Sequence, residues 1–154
     1  MNNDKCILCK EQSNCIWEIS FLSLFSSLYA IYRGYYDLAL LPGGIFLTSI
    51  NYWRHPTYSW RRNVDIVYVK LALIYQLIRS YGAENSILYY ILLLIGIGFY
   101  YLAKYYGNQQ MFWHSTYSHC MIHVMATISN FVLYSGYIVP IDSNPIIKTL
   151  MTYF

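Results

Sequence analysis

The stretch Ser115–Asn130, STYSHCMIHVMATISN, decides how the rest of the chain is read. Within it Ser115, His119, His123, Thr127 and Asn130 recur at steps of four, four, four and three, the spacing of one face of an α-helix. That face is polar. The apolar run around it extends from Met111 to Tyr134, long enough to cross a bilayer at about 1.5 Å per residue against a hydrocarbon core of about 30 Å. Polar groups are costly in lipid, so such a stripe faces a bundle interior or a water-filled pocket. His119 and His123, at i and i+4, have the spacing with which one helix offers two imidazoles to one metal ion.

The composition agrees with a membrane setting. Hydrophobic residues make up 57% of the 154 and charged residues only 11%, a balance that the surface of a soluble domain could hardly supply. The net charge of +3 is scattered, with no basic run longer than Arg61-Arg62, which argues against nucleic acid as a partner. Cys6, Cys9 and Cys15 lie in a polar N-terminal segment, residues 1–15, without the fourth ligand that a zinc knuckle needs. They read as free or lipid-modified thiols. The same segment lacks the pattern of a cleaved signal, so the first apolar run reads as an uncleaved span.

The expected fold is all-α: a polytopic membrane bundle over residues 16–137 with five transmembrane helices, followed by a C-terminal tail, 138–154, too short to span. The spans are Ile16–Tyr32, Leu38–Trp53, Val64–Ser80, Ile87–Tyr105 and Met111–Tyr134. The second contains Pro42 and the pair Gly43-Gly44, which permit a bend and close packing, and it stops at Arg54-His55-Pro56. For the third, Asn63 is the expected N-cap and Asp65 falls in the first turn. Tyr81–Asn85 and Tyr106–Gln110 read as turns. Five crossings put Lys5, Lys10, Arg54, Arg61, Arg62 and Lys104 on one side and Arg33, Arg79 and Lys148 on the other. The excess predicts a cytoplasmic N-terminus. Short spans in the middle of the chain fit a thin bilayer such as that of the endoplasmic reticulum.

This topology brings the end of the second span and the starts of the third and fifth to one side, so His55, Asp65, His119 and His123 can meet. Three imidazoles with an open position suit catalytic zinc, and a nearby carboxylate can orient or deprotonate its water. Asn51, one helical turn before His55, can hydrogen-bond that water or a substrate carbonyl. Each residue also has a structural reading. Asp65 can simply complement a helix dipole, His55 can sit at the interface, and His119 with His123 can hydrogen-bond across helices. His114, about 140° around the helix from His119, and Lys70 fall outside the constellation.

SHCMIHVMA, around His119 and His123, resembles the final-helix HxxxH segment of an integral-membrane hydrolase superfamily. That superfamily joins alkaline ceramidases, progestin and adiponectin receptors and GPI-anchor lipid-remodelling factors. It also carries a Ser and a His four residues apart at the cytoplasmic end of its second helix and an Asp at the start of its third. Asn51, His55 and Asp65 occupy those places here, with Ser49 close by. Its members usually have seven spans rather than five. The resemblance implies Zn2+ on His55, His119 and His123, Asp65 and Asn51 in contact with the zinc-bound water, and a membrane lipid amide or ester as substrate. Two other classes compete with this ceramidase-like hydrolase: a receptor-like or structural protein stapled by the same metal, and a small oligomeric channel lined by the polar stripe.

Overall fold

A computed structural model describes residues 7–153. The chain folds into α1 (Lys10–Ile19), α2 (Phe21–Tyr32), α3 (Tyr36–Trp53), α4 (Trp60–Ser80), α5 (Ser86–Asn108), α6 (Phe112–Ser135), a 3-10 turn (Ile141–Ser143) and α7 (Pro145–Thr152). No strand occurs among the described residues, so the all-α expectation holds. Helix α3 packs against α2 and α4, α5 packs against α6, and α6 returns to lie against α1 and α2, closing the bundle. One end, called the near end below, gathers the start of α1, the α3–α4 connection and the α5–α6 turn. The far end gathers the α2–α3 and α4–α5 turns and the segment after α6.

The first rod is longer than expected. It begins at Lys10, inside the segment read as polar tail, because the Cys9 amide donates to the Gln12 side chain and caps the helix start. Cys6 lies outside the described residues. At Ser20 the hydroxyl donates to the Ile16 carbonyl at 2.7 Å, the kind of back-bond that bends a helix, and α1 passes into α2 there. The α2–α3 turn closes with Tyr35 N–H donating to Ala30 O and Gly34 N–H to Ile31 O. Gly34, at φ +80°, takes the left-handed position that this Schellman turn requires.

Pro42 sits inside α3. The carbonyls of Ala39 and Leu40, in the turn before it, accept from Ser27 of α2 at 2.7 Å and Tyr68 of α4 at 2.8 Å. Neighbouring helices thus satisfy backbone that a proline disturbs. Gly44 permits this approach, since a Cβ there would overlap the Tyr68 hydroxyl.

Helix α4 starts at Trp60 after Ser59, which has the extended backbone of an N-cap. Asn63 is therefore inside the helix and Asp65 lies beyond its first turn, because the amphipathic segment WRRN extends the helix backward from its apolar run. Helix α5 continues to Asn108, which shortens the expected turn before α6.

Among the described residues two stretches are long and apolar enough to cross a membrane: Lys10–Tyr32, taken as one rod, and Ser86–Asn108. Five were expected. The shortfall has a compositional cause: α4 carries Arg61, Arg62, Asp65, Lys70 and Arg79, and α6 carries its polar stripe, so their mean hydropathy falls.

Two buried clusters hold the bundle. One, at the far end, contains Ala30, Leu38, Tyr89, Leu133, Tyr134 and Ile138. The other, at the near end, contains Ile16, Tyr52, Trp53 and Cys120.

Candidate functional site

Three of the residues singled out from sequence, Asp65, His119 and His123, face into the near half of the bundle. Asp65, half-buried on α4, accepts hydrogen bonds through one oxygen from Thr48 at 2.8 Å and Ser49 at 2.9 Å, both on α3. A carboxylate with two hydroxyl donors is anchored, and its other oxygen keeps its accepting capacity. His119 of α6 lies edge-on to Trp53 of α3, with ring centroids 4.9 Å apart. His123, one turn further, is buried and stands 5.6 Å from His119 by ring centroids.

Two sequence candidates are not brought in. His55 lies past the end of α3, exposed, because the helix stops at Trp53 and Pro56 holds the following chain extended. The helical phase that aligned Asn51 with His55 ends before His55 is reached. Asn51 is half-buried in the last turn of α3 and makes no side-chain hydrogen bond among the described residues.

Among the described residues no group of three or more His, Cys, Asp and Glu is placed to hold a metal ion. The near end offers two imidazoles together, and the three-histidine zinc set implied by the resemblance does not fit this arrangement.

Several site residues escaped the sequence reading. Thr48 and Ser49 meet Asp65 because residues equidistant from the middle of a short connection face one another in an antiparallel helix pair. The midpoint between Ser49 and Asp65 is Thr57, inside the α3–α4 connection, a symmetry that sequence alone contains. Trp53 and the contact between the Cys15 and Cys120 sulfurs, 3.7 Å apart, follow from the closure of α1 and α3 on α6, for which no local pattern exists.

His114, left out of the constellation, is exposed and lines a separate shallow groove of about 860 Å³ between residues 7–12 and 110–114. Neither Asp65 nor the His119–His123 pair lines that groove.

No protein-family model, curated protein or solved structure matches this chain.

Proposed function

We propose that this chain is a multi-pass integral membrane protein of five crossing rods, α1–α2, α3, α4, α5 and α6, whose working groups lie inside the bundle. The observation that carries this is an inverted polarity. Helix α5, the more apolar of the two stretches able to cross a membrane, has only 17% of its most apolar part buried, whereas Ser26, Ser49, Gln76, Thr127 and Asn130 are buried. A soluble core helix would show the reverse. Leu40, Leu47, Leu71, Ile87 and Leu94 point outward, as side chains in contact with lipid do.

The near-end segments carry more Lys and Arg than the far end. Far-end Arg79 is moreover consumed in a buried ion pair, which favours a cytoplasmic near end. The 18 residues of α3 reach about 27 Å, matching a thin bilayer such as the endoplasmic reticulum's.

Single reporter cysteines in an otherwise cysteine-free chain test the topology. Thr57 and Gln109 are expected to be labelled from one side and Tyr137 from the other. Labelling of Thr57 and Gln109 from opposite sides removes the five-rod arrangement.

A hydrolase of lipid amides or esters is the enzymatic reading of the same interior. Besides the resemblance around His119 and His123, one observation favours it: an anchored carboxylate, Asp65, at the same end as the paired imidazoles. A carboxylate so held takes a proton from attacking water and returns it to the leaving amine or alkoxide.

The test is fatty-acid release from ceramides and glycerolipids by reconstituted protein, with and without a chelator. Asp65→Asn should lower release by roughly 10² to 10⁴-fold, the range for a general base. No release across the panel, or release indifferent to Asp65→Asn, selects a non-enzymatic bundle. Conductance in place of release selects the channel.

A further inference from the structure

We infer that Cys15 and Cys120 are a redox-active dithiol that locks the first rod to the last helix by forming a disulfide. Their sulfurs stand 3.7 Å apart although the residues are separated by 105 positions. A disulfide bond is about 2.05 Å long, so the gap has to close by about 1.7 Å. Helices α1 and α6 are already packed together, and side-chain rotation on adjoining backbones supplies motion of that size.

The two thiols differ in access, and the difference assigns their roles. Cys15 is half-buried in the middle of α1, directly after its polar first half, next to exposed Asn14 and one turn from exposed Glu11. Cys120 lies behind it, buried with Ile16, Tyr52 and Trp53. Exposure decides which thiol meets an oxidant first. Cys15 is therefore the attacking thiol and Cys120 the resolving one.

With a low-molecular-weight disulfide such as oxidised glutathione as oxidant, the Cys15 thiolate attacks one of its sulfurs and expels a glutathione thiolate, leaving a mixed disulfide on Cys15. The Cys120 thiolate then attacks the Cys15 sulfur and expels the second glutathione thiolate. Each protein thiol gives up its proton, and the two electrons pass to glutathione, which leaves as two reduced molecules. Cys9 is exposed and lies before the first turn of α1, so it has no share in the pair.

The bond would fasten α1 one residue from His119, whose ring rests on Trp53. Oxidation would therefore fix the spacing of α1, α3 and α6 at the near end. The inference is independent of the hydrolase reading, because its test detects a covalent link and not turnover.

The full-length protein in membranes is equilibrated with glutathione buffers of graded oxidised-to-reduced ratio, quenched in acid, alkylated with N-ethylmaleimide and mapped by peptide mass spectrometry. The expected product is a peptide pair joined through Cys15 and Cys120, lighter by two hydrogens and separated by dithiothreitol. It should persist in Cys9→Ser and vanish in Cys15→Ser. In Cys120→Ser, Cys15 should accumulate carrying one glutathione. Because the link is mapped in the unaltered chain, poor folding of a variant does not hide the answer. Full alkylation of both thiols at the most oxidising ratio, or Cys15 joined to Cys6 or Cys9 instead, overturns the inference.

Discussion

The two ends of the bundle treat their polar groups in opposite ways. At the far end nearly every polar side chain is spent on holding the chain together. Arg79, buried, donates through Nε to Asp37 at 2.6 Å and through Nη1 to the Val139 carbonyl at 2.7 Å, while the Tyr75 hydroxyl donates to the same Asp37 carboxylate at 3.0 Å. Arg33 donates to Ser135 O and Tyr35 to Gly136 O, each at 2.8 Å, and Asn85 donates to Val132 O and to the Ser135 hydroxyl, each at 3.1 Å. Among the described residues of that end, only the Tyr89 hydroxyl is buried without a partner.

From the middle of α6 to the near end the pattern reverses. Among the described residues, Trp53 Nε1 and Ser59 Oγ are buried with no hydrogen-bond partner and the imidazoles of His119 and His123 make no hydrogen bond, while Thr127 Oγ1 is left unpaired further along α6, in its far-side half. Buried polar atoms left unpaired cost stability. The near end keeps unpaired imidazoles and the anchored Asp65, whereas the far end spends most of its polar side chains on cross-links between elements.

Three substitutions probe this contrast, in decreasing order of effect. Arg79→Ala leaves the Asp37 charge without its cation and should destabilise by about 3–5 kcal/mol, the range for breaking a buried pair. It is read as a lowered melting temperature of the detergent-purified protein. A variant as stable as the parent would remove the far end's claim to be the lock.

Gln76→Ala should cost about 1–3 kcal/mol, because Asn130 Oδ1 and the Tyr134 hydroxyl lose the amide that donates to both. The same melting experiment measures it, and a loss equal to that of Arg79→Ala would spread the lock to mid-bundle. Thr127→Val should change stability by less than about 1 kcal/mol, in the stabilising direction, because it removes an orphaned hydroxyl at nearly constant shape. A clear loss there would mean that Thr127 has a partner in the membrane.

What could be read from sequence divides along physical lines. Helices whose apolar runs are uninterrupted, such as α5, declare themselves by composition, and Pro56 marks the end of α3 because its effect on the preceding residue is local. The start of α4 escaped because Trp60, Arg61 and Arg62 lack an apolar period although they lie in the helix. Asp65 accepts from Thr48 and Ser49, three and two positions before Asn51, the α3 residue that the sequence puts forward. His55 lies past the end of α3, where helical phase no longer sets its direction. The tail held a readable signal: Asn144 before Pro145 is an N-cap followed by the favoured first-turn residue. Its side-chain oxygen accepts from the Ile146 and Ile147 amides, at 3.0 Å and 3.3 Å. The meeting of Cys15 with Cys120 had no signal in either local sequence, since it depends on which rods become neighbours.

That α6 is the closing element also orders the molecule's assembly in time. Ribosomes deliver the first rod long before the last, so while residues 10–108 are being made, Gln76 has neither Asn130 nor Tyr134 to bond, and Cys15 and Trp53 lack the cover that α6 will supply. Only when the chain has been synthesised past Ser135 can these groups be covered together. A nascent chain stalled before α6 would thus expose an unfinished polar seam to the quality-control machinery of its membrane, and a finished chain would hide it.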